Sequence, residues 1–144
     1  MKSLILIISS VFMIIILSCS STKTTTVTNG DLGYDSTSSG LKFVDINTGK
    51  GKTPRDGSKC TVYMIITDAN GNEIENSYKT KSPVTFTIGK SDVIKGLEEG
   101  VMSMKQGGKR KLLVPPELGF GARALKSVPG NSHLFITVEL TKVD

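Results

Sequence analysis

The sequence predicts an α+β domain in which an antiparallel sheet packs on one short helix. Three observations carry this reading. Val93, Leu97, Val101 and Met104 recur at intervals of three and four, so they share one face of a helix. On both sides of that segment, short apolar or alternating runs bounded by Gly, Pro, Asn and Asp read as strands. Asn70-Gly71 lies between two such runs and marks a hairpin.

The N-terminus stands apart from this pattern. Lys2 precedes an apolar and small-residue stretch from Ser3 to Ser18, shorter than the roughly 20 residues of a spanning helix, so residues 1–18 read as a signal peptide. The run Ile16-Leu17-Ser18-Cys19-Ser20 resembles a bacterial lipobox, which implies lipidation of Cys19; the alternative is an uncleaved N-terminal anchor. Either outcome tethers an exported protein to a membrane in the cell envelope, facing the periplasm or exterior. Ser20 to Ser39 is rich in Ser and Thr and has little apolar surface to offset its ordering entropy. Residues 19–39 therefore read as the lipidated cysteine and a flexible tether, and 40–144 as the folded domain.

Within the domain, Leu41 to Ile46 alternates as a strand, and Gly49 to Gly57 is a turn-rich loop. Cys60 to Thr67 is so apolar through Val62-Tyr63-Met64-Ile65-Ile66 that burial on both faces is expected. After the Asn70-Gly71 hairpin come Ile74 to Ser77, a polar bulge or flap from Tyr78 to Ser82, and a strand from Val84 to Ile88. Ser91 or Asp92 is the expected helix cap. Beyond the helix lie a strand at Lys109 to Val114, a glycine-rich loop from Gly119 to Ser132, and a closing strand from Leu134 to Val143. Gly96 and Gly100 each cost about 1 kcal/mol inside a helix relative to Ala, so close packing on a neighbour is expected.

The ordered series Gly89-Lys90-x-x-Val93-Ile94-Lys95-Gly96-x-Glu98-Glu99-Gly100, Met104, Gly107, Lys109 and Pro115 to Gly121 resembles the FKBP-type peptidyl-prolyl cis-trans isomerases. Upstream, Gly49-x-Gly51-x-x-Pro54-x-x-Gly57, Gly71 and Pro83-x-x-Phe86-x-x-Gly89 extend the resemblance from Gly40 to Asp144. It implies a strongly curved antiparallel sheet of about five strands wrapped on the helix. It also implies an apolar pocket for an Xaa-Pro segment.

Transferred residue by residue, the resemblance gives Ile94 a backbone amide that donates to a ligand carbonyl. Glu75 stands where an Asp is usual, and Phe120 where a Tyr is typical. These three are the candidate catalytic positions. Met64, Ile74, Val84, Phe86, Val93, Leu97 and Ile136 are the candidate substrate-binding positions; Met64, Ile74, Val84 and Ile136 replace aromatic residues frequent in the family. The implied pocket stays apolar but is wider or more deformable, with reduced activity. Macrolide immunosuppressant-type ligands are expected to bind weakly, and the domain to be monomeric.

Composition narrows the function further. The net charge of +5 is spread among acids, and the chain has no Trp, which argues against a nucleic-acid surface. Two cysteines and one histidine, His133, form neither a disulfide framework nor a metal-ligand pattern, so no metal or cofactor is expected. Three readings stand side by side: an isomerase acting on exported proteins, a non-catalytic module holding peptide or protein segments, and a purely structural envelope lipoprotein.

Overall fold

The computed structural model describes residues 33–124 and 128–144. The expected signal peptide, Cys19 and the first part of the tether lie outside the described residues, as do 125–127 of the glycine-rich loop. The strands are β1 (Asp35–Ser36), β2 (Lys42–Asn47), β3 (Lys59–Thr67), β4 (Glu73–Asn76), β5 (Val84–Thr87), β6 (Lys109–Val114) and β7 (Leu134–Val143). The helices are α1 (Ser77–Thr80) and α2 (Lys95–Met102), with a 3-10 turn at Pro116–Leu118. All seven strands form one antiparallel sheet in the order β1-β2-β6-β7-β3-β4, and β5 also pairs with β3.

The count of seven against the expected five has a simple origin. β5 pairs with the first half of β3, Lys59 to Val62, and β4 with the second half, Ile65 to Thr67, so two short strands share one edge. β1 is the other addition. Asp35 and Ser36 pair with Phe43 and Lys42, and Ser39 Oγ donates to the Glu99 carboxylate at 2.8 Å. The sheet thus begins inside the stretch read as tether.

β3 is not buried on both faces. Cys60, Val62, Met64 and Ile66 are buried, whereas Thr61, Tyr63, Ile65 and Thr67 are half-buried. The alternation follows from a single sheet with α2 on one side only. On the outer side the contact is local: Tyr78, from α1, stacks on Tyr63 with centroids 5.0 Å apart and donates its hydroxyl to Glu139 at 2.7 Å. Burial, reinforced by that carboxylate, pushes the Tyr78 phenol up to about 12. The expected flap is therefore a one-turn helix, anchored by Ser77, whose Oγ accepts from the Met64 amide at 2.7 Å.

The Asn70-Gly71 hairpin forms, but only Gly71 takes a positive φ, 84°. Asp68 organises the turn: its Oδ1 accepts from the amides of Asn70 and Asn72 at 2.8 Å, and its Oδ2 from the Asn72 side chain. The strands are joined by a five-residue loop, 68–72, closed by one carboxylate.

α2 begins later than Ser91 or Asp92 would place it. Ser91 has φ 56°, and an Asp92 carboxylate oxygen accepts from the Thr87 amide at 3.1 Å, closing the turn after β5. Ile94, with an extended backbone, is the N-cap. Of the four positions read onto one helical face, Leu97 and Val101 lie on α2 and are buried, whereas Val93 precedes the helix and the buried Met104 follows it. The two helical glycines have the packing reason their cost required. A Cβ on Gly96 would stand 2.5 Å from Val114 Cγ1, and one on Gly100 2.6 Å from Leu112 Cδ1, so α2 lies directly against β6.

Two outcomes follow from these contacts. Val114 is fully buried and stiff at χ1. Overpacking of about 1–3 kcal/mol, less the helix-propensity gain of up to about 1, leaves Gly96→Ala destabilised by about 1–2 kcal/mol in urea unfolding. Combined with Val114→Ala, the cost should fall below the sum of the single changes by at least about 0.5 kcal/mol; additive values would show that this contact is not what excludes a side chain. Hydrogen bonds from the Asn72 side chain, then from the Asn72 and Asn70 amides, hold the Asp68 carboxyl below its usual range. Its contribution is fully present above the unfolded value of about 3.9 and is lost as pH falls through the lowered folded value. Asp68→Ala should lower the denaturation midpoint at neutral pH, with the gap to the parent narrowing below about pH 4. A gap unchanged at pH 3 would exclude the carboxylate charge as its source.

Candidate functional site

A cavity of about 800 Å³ opens between the inner face of the sheet and the N-terminal end of α2. Its size lies within the range of about 300–1,000 Å³ usual for ligand sites. Each wall comes from a local feature already described. Met64 and Ile66 project from β3 at the period of two that keeps them on one face, and Val84 begins β5 beside them. Leu97 supplies the floor from α2, while Val93 and Ile94 enter because the helix starts only at Lys95.

Phe120 closes the other side on a tight turn. The Pro116 carbonyl accepts from both the Gly119 amide at 3.0 Å and the Gly121 amide at 2.8 Å, and Phe120 is held between them. Gly121 has φ 61°, a left-handed conformation that a side chain rarely adopts. Leu134 lies 3.2 Å from where a Cβ on Gly119 would stand, so this turn is also pressed onto β7.

Of the ten positions expected at the site, seven line this cavity: Met64, Glu75, Val84, Val93, Ile94, Leu97 and Phe120. The other three are placed elsewhere. Phe86 and Ile136 are buried core residues, 2% and 1% exposed, paired with Cys60 on β3 and with Ile66 and Leu112 respectively. Ile74 is the extra residue of a β-bulge: Glu75 faces Ile66 and Glu73 faces Thr67, which leaves Ile74 unpaired and out of the wall. Its neighbour Glu75 is turned to the cavity.

Sequence reasoning missed Ile66, Asp92, Glu117 and Arg123 as lining residues, whereas the Gly119-Phe120-Gly121 run does border the cavity. Ile66 was within reach, standing two residues beyond Met64 on the same strand face. Glu117 and Arg123 carry no pattern that would have marked them.

Chemically, the cavity combines an aliphatic wall with few polar groups. Phe120 is the one aromatic among its described lining residues. Ile94 stands at the positive end of α2, and among the described residues its amide makes no hydrogen bond. That amide is the donor available to a ligand carbonyl. Glu75, Asp92, Glu117 and Arg123 lie at the exposed mouth. Among the described residues the arrangement offers apolar burial, one backbone donor and one ring.

A family model described as FKBP-type peptidyl-prolyl cis-trans isomerase matches residues 50–141. The chain is 40% identical over 111 residues to the FKBP-type peptidyl-prolyl cis-trans isomerase FkpA of Buchnera aphidicola, covering 77% of this chain and 45% of that protein. Against the FK506-binding protein of Neisseria meningitidis serogroup B it is 41% identical over 105 residues, covering 72% of this chain and 96% of that protein. The crystal structure of FkpA from Escherichia coli matches with a TM-score of 0.74 and 36% identity, over 80% of this chain and 53% of that one. The chain thus spans less than half the length of the Buchnera FkpA but nearly all of the Neisseria protein. A family match over most of the sheet, α2 and the cavity turn carries the conclusion that this chain belongs to the FKBP-type peptidyl-prolyl cis-trans isomerase family.

Proposed function

We propose that this chain catalyses cis-trans isomerisation of Xaa-Pro bonds in exported or unfolded proteins. It acts as a monomer in the cell envelope, held to a membrane by lipid on Cys19. One observation carries the reading: Ile94, Phe120 and the aliphatic wall converge on a single cavity. Seven positions inferred from the family motif meet there.

Rotation about the prolyl bond faces a barrier of about 18–20 kcal/mol, set by amide resonance. No acid, base or metal is required to lower it. A twisted imide has lost much of its charge separation, so a water-poor aliphatic wall favours it over the planar form. The Ile94 amide holds the chain by a carbonyl, Phe120 packs its ring beside the proline, and Glu75 stands at the rim. Macrolide immunosuppressant-type ligands use the same cavity weakly, because aliphatic side chains replace the flat aromatic walls such ligands pack against.

The same replacement supports a second reading, a module that holds peptide or protein segments without turning them over. Exchange NMR on proline peptides separates the two. The full chain in mild detergent should accelerate exchange, and Phe120→Ala should reduce kcat/KM about tenfold or more, equivalent to about 1.4 kcal/mol of transition-state stabilisation. Saturable chemical-shift changes at Ile94 with unaltered exchange rates would establish the holding module instead.

A further inference from the structure

Four of the six glutamates in this chain have a partner within it. Glu73 is bonded to Lys79 and Asn76, Glu98 to the Gly89 amide, Glu99 to Ser39, and Glu139 to Tyr78. Glu75 and Glu117 make no hydrogen bond or ion pair among the described residues, and both line the mouth of the cavity. They come from different elements: Glu75 from β4, opposite Ile66, and Glu117 from the 3-10 turn that leads to Phe120. Asp92 adds a third carboxylate, with one oxygen engaged by the Thr87 amide. Arg123 is the one cation among the described lining residues; Lys90 and Lys95, close in sequence, are not part of the lining.

Among the described lining residues the charge at the mouth is therefore reversed relative to the chain, which carries a net +5. A long-range field would steer acidic segments toward this protein, whereas the mouth repels them at contact. An aliphatic wall accepts a proline ring and an apolar neighbour without preference for what flanks them. Selection then falls to the polar groups at the rim, where a peptide leaves the cavity.

We infer that Glu75 and Glu117 are specificity-determining residues that favour Xaa-Pro segments bearing a Lys or Arg within one or two positions of the proline. This rests on the isomerase reading for its kinetic form, but not for its binding form. The long methylene stem of a basic side chain can lie on the apolar wall while its head reaches the free carboxylates. Both carboxylates are exposed, so each contributes as a screened surface charge rather than a buried pair. The effect is modest and depends on salt.

The test uses the full chain in mild detergent and three peptides that differ only in a Lys, Gln or Glu beside an otherwise identical Leu-Pro core. At low ionic strength, kcat/KM for the Lys peptide should exceed that for the Gln peptide about three- to tenfold, with the Glu peptide lowest. The ratio should approach one near 1 M salt, where the screening length is about 3 Å. Glu117→Gln and Glu75→Gln should each reduce the Lys-to-Gln ratio at low salt, and the pair should abolish it. Equal kcat/KM for all three peptides, or a preference untouched by both substitutions, would overturn the inference. Should no peptide be accelerated, the isomerase reading fails by itself, and the order of dissociation constants from NMR titration decides the charge preference. Binding that is equal for all three peptides, or absent for all, refutes it.

Discussion

The Arg110 guanidinium is buried to 4% exposure at the start of β6, and the rest of the structure is arranged around satisfying it. Its Nε and Nη2 donate to the two oxygens of Asp45 on β2 at 2.6 and 3.0 Å. Nη1 donates to the Gly100 carbonyl at 2.8 Å and to Ser103 Oγ at 2.6 Å, at the C-terminal end of α2, and the Phe43 ring lies 4.2 Å from the guanidinium carbon. One side chain thus joins two strands and the helix. Removing a partner from a fully buried pair costs about 3–5 kcal/mol. The cost is smaller here, because the Asp45 side chain is 34% exposed and water can take part of its charge.

This anchor explains why an eight-residue helix can position a binding site. Two turns are too few to be stable alone, so the placement of α2 comes from its packing. Arg110 fixes one end. Gly96 and Gly100 let the barrel of the helix touch Val114 and Leu112, which removes freedom to slide or tilt. The position of Ile94 at the other end follows from these two constraints.

The features legible in the sequence are those written in local spacing. The helix face, the two glycines and the Gly119-Phe120-Gly121 turn depend on residues a few positions apart, and so do the strands they connect. Arg110 was not legible, because Lys109-Arg110-Lys111 in a strand reads as solvated charge and its partner Asp45 lies 65 residues away. Ser91 and Asp92 misplaced the helix start because a side chain suited to capping a helix is equally suited to closing a turn. Ile74 was misplaced by a bulge, a one-residue register shift that no local pattern records. Phe86 and Ile136 do face inward. Facing inward, however, does not distinguish the wall of a cavity from the core beneath it.

The composition of the wall bears directly on how the site would work. Aliphatic contact is non-directional and binds planar and twisted prolyl imides nearly alike, so by itself it lowers KM more than it raises kcat. Discrimination between the two forms must come from directional groups, here the Ile94 amide and the Phe120 ring, and from the exclusion of water. A net amide hydrogen bond contributes about 0.5–1.5 kcal/mol, which is about a tenfold rate effect at most if the whole of it appears only in the transition state. Anything beyond that factor has to come from desolvating the planar imide against Met64, Ile66, Val84 and Leu97. In this cavity the aliphatic wall would therefore act on rate through its dryness rather than its shape, and the tightness with which a substrate seals the mouth against water would set the turnover it experiences.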